Sequence, residues 1–248
     1  MMLLEGDAVV LAGATGRVGG TTLREFAAQG ARVLVVSRSK EHAAAAIADN
    51  VPAQQRERCT AYAADLGDPA AAAGAIDAAV QRFGRIDAAV TLSGRGHFVP
   101  LLDSTLDDLR TNLEGNLIGN YNLLLPALRA MLEQSMPEGA LSRGRLVAVS
   151  AGSSKDPQPR FGLFGASKAA LNVLMQAIAR EHKADRIVAN SVVLGTVATE
   201  AAKSYLSPED FSAAAQPEEV AKILAFLASR SASGINGALV DVNAREVD

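Results

Sequence analysis

Apolar residues along the chain follow two alternating patterns. Short runs that are apolar at nearly every position, such as Ala8-Val9-Val10-Leu11, Val33-Leu34-Val35-Val36 and Leu146-Val147-Ala148-Val149, are separated by longer stretches in which apolar residues recur every three or four positions. A continuous apolar run suits a strand covered on both faces, and the wider spacing marks a helix with one buried face. Strands are therefore expected at about 8–11, 32–36, 60–63, 86–92, 145–149, 187–194 and 238–242. Helices are expected at about 18–29, 43–48, 69–83, 105–134, from Gly162 through Ile178, and from Pro217 onward, where proline and two acids open the first turn. The alternation predicts one α/β domain, a doubly wound, mostly parallel seven-stranded sheet with helices on both faces. Residues 196–216, with Ser204, Ser207 and Pro208, fit neither pattern and are expected to cap a ligand.

Composition narrows the functions such a domain could serve. At 248 residues and 49% hydrophobic, the chain can bury a sizeable core, and one domain suffices. A formal net charge of -3 provides no basic field for nucleic acid or an anionic membrane surface, and 4% aromatics leave no stacking platform for single strands. Cys59 is the only cysteine, and His42, His97 and His182 are scattered, so no disulfide within the chain and no metal site are expected. Met1-Met2-Leu3-Leu4 runs directly into Glu5 and Asp7 without a basic leader, and no apolar run approaches membrane-spanning length, so a cytoplasmic protein is expected.

Two segments carry candidate chemistry. Ala12-Gly13-Ala14-Thr15-Gly16-Arg17-Val18-Gly19-Gly20 follows the first strand and opens the first helix, where glycines permit positive φ and leave helix N–H groups free for a pyrophosphate. Phe164-Gly165-Ala166-Ser167-Lys168-Ala169-Ala170-Leu171 lies on a helix, and Phe164 and Lys168, one turn apart, share a face. The second segment resembles the Tyr-x-x-x-Lys helix of the short-chain dehydrogenase/reductases, with phenylalanine in place of the tyrosine. The resemblance extends over nearly the whole chain and implies a Rossmann fold, a nicotinamide cofactor, a small-molecule substrate, and a homodimer or homotetramer. Apolar residues on more than one face of the helices around Asn116 and Phe164, as in Leu123-Leu124-Leu125 and Leu171, Leu174, Met175 and Ile178, suit such an assembly. It also implies a nucleotide-binding half at about 1–95 and a substrate half at about 96–248.

The resemblance assigns further residues. Gly13, Thr15, Gly16, Val18 and Gly19 would form the phosphate loop, with Arg17 standing where ordinary members have a glycine. Ser37-Arg38 ends the second strand in place of an acid, which suits a 2'-phosphate and favours NADP(H) over NAD(H), with Arg17 a second cation; alternatively Arg38 is a solvated charge. Asp65-Leu66 resembles the adenine contact, although Asp65 could instead be a turn or cap residue. Thr91-Leu92-Ser93-Gly94 replaces the family's Asn-Asn-Ala-Gly. Gly195 and Val197 would border the nicotinamide carboxamide, and Asn243-Ala244 replaces a usual glycine pair.

The family's tetrad is Asn, Ser, Tyr and Lys, in which the tyrosine exchanges the proton and the lysine lowers its pKa while binding the nicotinamide ribose. Asn116 matches the asparagine, with a buried helix-kink residue as the alternative, and Lys168 matches the lysine. The distance to Phe164 places Ala151 at the serine position; a one-residue slip would substitute Ser150, pointing to the other face. Ser153 and Ser154 follow in a loop with Lys155, Asp156, Pro157 and Pro159. Phenylalanine has no ionisable proton, so the resemblance implies a cofactor site better kept than the acid–base site.

The leading expectation is an NADP(H)-binding oxidoreductase that reduces an activated C=C bond or an iminium rather than a simple ketone. His97 is a candidate proton donor or pocket residue. The alternatives are a non-redox cyclase, lyase or isomerase on the same scaffold, and a non-catalytic NADP(H) sensor or partner subunit.

Overall fold

A computed structural model describes residues 2–204 and 206–243. Its centre is a seven-stranded parallel sheet in the order β3-β2-β1-β4-β5-β6-β7. The strands are β1 Ala8–Ala12, β2 Arg32–Ser37, β3 Cys59–Ala63, β4 Ala88–Thr91, β5 Gly144–Ala151, β6 Ile187–Leu194 and β7 Leu239–Val242. The helices are α1 Arg17–Ala28, α2 Lys40–Asn50, α3 Pro69–Phe83, α4 Leu106–Leu113, α5 Gly119–Glu133, α6 Gly162–Glu181, α7 Pro208–Ala213 and α8 Pro217–Ala228. No helix among the described residues is long and apolar enough to cross a membrane.

The uninterrupted apolar runs follow from the two-sided core. Along β1, Val9 and Leu11 face a cluster with Leu23 and Phe26 of α1 and Val220 and Leu224 of α8. Val10 and Ala12 face the opposite cluster, with Ile76 of α3, Leu123 of α5 and Leu171 and Met175 of α6. Alternate residues of one strand thus serve different layers, and neither face can be polar.

Boundaries moved where capping and side-chain competition decide them. α2 runs beyond the expected 43–48 because Ser39 caps it, accepting from His42 N at 3.2 Å. β4 starts at Ala88, not Ile86, because the Gln134 side chain takes both main-chain groups of Ile86. The long helix expected over 105–134 is broken: a Thr105–Asp108 capping box opens α4, and a π-helical turn at Glu114–Ile118 separates it from α5. Segment 196–216 contains a 3₁₀ turn at Glu200–Ser204 and α7, and Val197 pairs with Ala215 across its base.

At the amino edge of the sheet, opposite the glycine loop, lies a buried ion network. Arg145 is 1% exposed; its Nη2 meets Asp7 Oδ2 at 2.7 Å, and its Nε donates to Ala228 O at 2.7 Å. Arg230 reaches the other Asp7 oxygen at 3.0 Å. Burial, the largest influence, pushes the Asp7 carboxyl above its usual range despite these cations, and also lowers the Arg145 pKa.

Candidate functional site

Strand order reverses between β1 and β4, so the loops leaving their carboxyl ends part and open a crevice. A cleft of about 900 Å3 fills it, lined by Gly13, Thr15 and Gly16 after β1, Ser37 and Arg38 after β2, Asp65 and Leu66 after β3, and Ser93 and Gly94 after β4. Arg95, and Thr111 and Glu114 from the α4 end, complete a wall that sequence reasoning did not assign.

The glycines of the first loop have separate duties. Gly13 adopts φ +89°, and a Cβ there would come within 2.8 Å of Leu92 C, so β1's exit lies against that of β4. A Cβ on Gly19 would collide with Gly13 O, and the absence of a side chain there lets α1 begin tight against the loop. Gly16 is different: its nearest neighbour to a Cβ would be Gly13 O at 3.8 Å, which leaves open space above the helix start. Arg17 is exposed at the first position of α1, where no acid occupies the first turn, and Val18 packs partly against the core. Arg17 and Arg38 are exposed and form no ion pair among the described residues.

Asp65 takes the local role: its Oδ1 accepts from Gly67 N at 2.9 Å in a turn, and Asp68 beyond it caps α3. The carboxylate still lines the cleft.

At the inner end three elements converge on Gly94. A Cβ there would stand 2.8 Å from Asn116 Oδ1 and 3.0 Å from Lys168 Nζ. Asn116 sits in the π-helical turn, fully buried; it accepts from Arg95 N at 2.9 Å and donates to Arg95 O at 3.0 Å, which pins the loop after β4. The kinked helix and the site residue are therefore one feature, since π turns reorient a side chain without ending the helix. Thr91, the last residue of β4, and Asn120, which was not anticipated, extend this network. Thr91 Oγ1 donates to Asn120 Oδ1, and Asn120 Nδ2 donates to Ser93 O at 3.2 Å. Asn120 lies one turn after Asn116, and that spacing was the available signal.

Lys168 is 4% exposed, and its Nζ donates to Val149 O at 2.9 Å, which leaves two donors. Burial pushes its pKa down to about 8. Ser150 is turned away: its hydroxyl donates to Lys168 O at 3.4 Å. Ala151 is half-buried at the strand end, paired with Leu194. Ser153 belongs to a 3₁₀ turn, Gly152–Ser154, pressed against α6 so closely that a Cβ on Gly165 would collide with Ser153 O. Its buried Oγ has no hydrogen-bond partner. Ser154 accepts from Asn172 at 2.9 Å.

The Phe164 ring stands edge-on to Phe98 and Phe161. These two rings were not anticipated, because more than sixty positions separate them in the chain. His97 is half-buried; its Nε2 meets Asp108 Oδ1 at 2.5 Å, and its carbonyl accepts from Asn112 at 3.1 Å. Bonds from the Thr105 side chain, then from His97, hold the Asp108 carboxyl down at about 2. Gly195 N donates to Val242 O at 2.9 Å, beside Asn243, and Val197 is half-buried at the base of segment 196–216. Ala244 lies outside the described residues.

A parallel sheet whose order reverses at a glycine loop, with a crevice at that point, is the architecture of the nucleotide-binding α/β folds. The comparisons make the class specific: the short chain dehydrogenase family model matches residues 7–210, and the chain belongs to that family. It is 30% identical to the oxidoreductase UcpA of Escherichia coli, covering 94% of this chain and 92% of that one. It is 28% identical to an L-rhamnose 1-dehydrogenase (NAD(P)(+)) of a Sphingomonas species, covering 98% and 97%. Among solved structures, a short-chain dehydrogenase from Burkholderia cenocepacia in complex with NADP superposes with a TM-score of 0.81 at 25% identity, covering 98% of each chain.

Proposed function

We propose that the protein is an NADP(H)-dependent oxidoreductase with a degenerate tetrad, which reduces an activated C=C or C=N bond rather than a simple ketone. The carrying observation is Phe164, one helical turn before the buried Lys168 at the inner end of the cleft, with its ring among rings. Phenylalanine can neither give nor take a proton, and Ala151, at the position of the family's serine, offers no hydroxyl. Ser150 is turned onto the α6 main chain. The groups that hold a dinucleotide are better kept. The open approach at Gly16 and the free N–H groups of α1 suit a pyrophosphate, and Lys168 has donors left for ribose hydroxyls beside Gly94. Short-chain dehydrogenases use NAD(P), and the Burkholderia relative holds NADP. Ser37 with the unpaired Arg38 favours the 2'-phosphate, with Arg17 as a second cation.

When bound, NADPH supplies hydride to carbon. Asn116 fixes the loop that carries Gly94 and Arg95, and Lys168 places positive charge beside the reacting end. The remaining proton comes from water or from His97, whose ring Asp108 aims. Residues 196–216 act as the cap, and Ile118, Tyr121 and Val173, exposed on the π turn, α5 and α6, form the face joining subunits of a dimer or tetramer.

The test is NADPH oxidation followed with an enone, an imine and a simple ketone. Turnover of the enone or imine without the ketone is expected; comparable ketone turnover would contradict the reading. Tight NADPH binding with no turnover at all would make the protein a cofactor sensor.

A further inference from the structure

The rings of Phe98, Phe161 and Phe164 meet one helical turn before Lys168. Phe98 and Phe161 are stacked, 4.3 Å between centroids and 26° between planes, and Phe164 stands edge-on at 5.3 Å from Phe98 and 6.4 Å from Phe161. They arise from the loop after β4 and the start of α6, so neither segment alone builds the cluster. A core cluster of three rings would be sealed, yet Phe98 remains 41% exposed. Leu101 continues the apolar surface, 64% exposed, with its side chain 3.2 Å from where a Cβ on Gly162 would stand.

The cluster is linked to the candidate cofactor end through Lys168, since Phe164 and Lys168 lie one turn apart on α6 and Gly94 of the cleft wall approaches Lys168. Partly exposed rings beside a buried cationic side chain suit a ligand that stacks on the rings and is oriented by that charge. The charge decides between the two acceptors considered above. Lys168 is cationic and buried, so it opposes a cationic iminium and favours an acceptor whose oxygen gains negative charge as hydride arrives.

Resting on the reading of the site as an NADPH oxidoreductase, we infer that its substrate is a flat, apolar α,β-unsaturated carbonyl compound with an aryl group that packs against Phe98 and Phe161. The carbon β to the carbonyl gains the hydride, the C=C π pair becomes the second bond between the α-carbon and the carbonyl carbon, and the C=O π pair moves onto oxygen to give the enolate. A proton from water then completes the α-carbon as the carbonyl reforms. The alkene is reduced, and an equal amount of NADPH is oxidised.

The experiment is calorimetric binding of benzylideneacetone to the full chain, with and without NADP+, against a ketohexose as a polar ketone of similar size. The aryl enone is expected to bind at least about tenfold tighter than the sugar, and Phe98→Ala and Phe161→Ala each to weaken it by about tenfold, since an aromatic contact contributes on that scale beyond its area. NADPH affinity should be unchanged in both variants, and Phe161→Leu, which keeps apolar volume without a ring, should fall between them and the natural protein. Equal affinity for the two ligands, or aryl enone binding indifferent to both ring deletions, overturns the inference. Loss of NADPH binding with the ring-dependent enone site intact would instead sink the oxidoreductase reading and still support the aromatic site.

Discussion

Gly94 and Lys168 approach so closely that a methyl group on the glycine would stand 3.0 Å from the lysine Nζ and 2.8 Å from Asn116 Oδ1. The asparagine cannot yield freely, because both ends of its amide are bonded to Arg95. Gly94→Ala should therefore displace the loop after β4, at a stability cost of about 1–3 kcal/mol typical of overpacking. NADPH titration should show weaker binding, and a chemical denaturation curve should show the stability loss.

Lys168 gives the site a pH dependence. Its folded pKa is about 8, whereas an unfolded lysine titrates near the ordinary value of 10.5. The folded state releases this proton first, so the stability cost of burying the charge is fully present below about pH 8 and is relieved as pH rises toward the ordinary value. NADPH affinity should move the other way, falling as pH passes about 8, because the cation and its charged donors are lost. Lys168→Met should bind weakly at all pH values and show neither trend. Fluorescence titration and denaturation across the same pH series measure both.

Restoring the absent hydroxyls tests the division between kept and lost chemistry. Phe164→Tyr with Ala151→Ser should raise ketone reduction by roughly 100-fold or more, the usual scale of one positioned general acid. Steady-state rates with one ketone and one enone are sufficient. No gain would mean that the ring cluster, not the missing proton donor, excludes ketones.

Arg145 tests the opposite edge of the sheet. Arg145→Met leaves the buried Asp7 carboxylate with only the half-exposed Arg230, and breaking one partner of such a pair costs about 3–5 kcal/mol. For a chain of this size that lowers Tm by roughly 6–20 °C. Asp7→Asn added to Arg145→Met should recover part of the loss, and thermal unfolding of the three proteins measures it.

What the sequence disclosed and what it hid have physical causes. The strands were legible because each is covered on both faces, so Val9 to Leu11 or Leu146 to Val149 had to be apolar throughout. The glycine loop was legible because close backbone approach at Gly13 and Gly19 excludes every other residue. The break at Glu114–Ile118 was not, since a π turn stays helical and shifts the following residues by only one position. The ring cluster and the Asp7–Arg145–Arg230 network join segments far apart in the chain, and nothing local in either segment marks its partner. Asp65 was legible as a cleft residue, but its bond to Gly67 N was one of two open readings.

Calorimetric titration of the protein with NADPH and with NADH bears most directly on the claim that the nucleotide grip persists without the tyrosyl acid. Saturable heat with NADPH is expected, with NADH at least about tenfold weaker and the difference abolished by Arg38→Glu, in line with the strength of a charge-assisted bond to phosphate. No heat with either coenzyme would contradict the account.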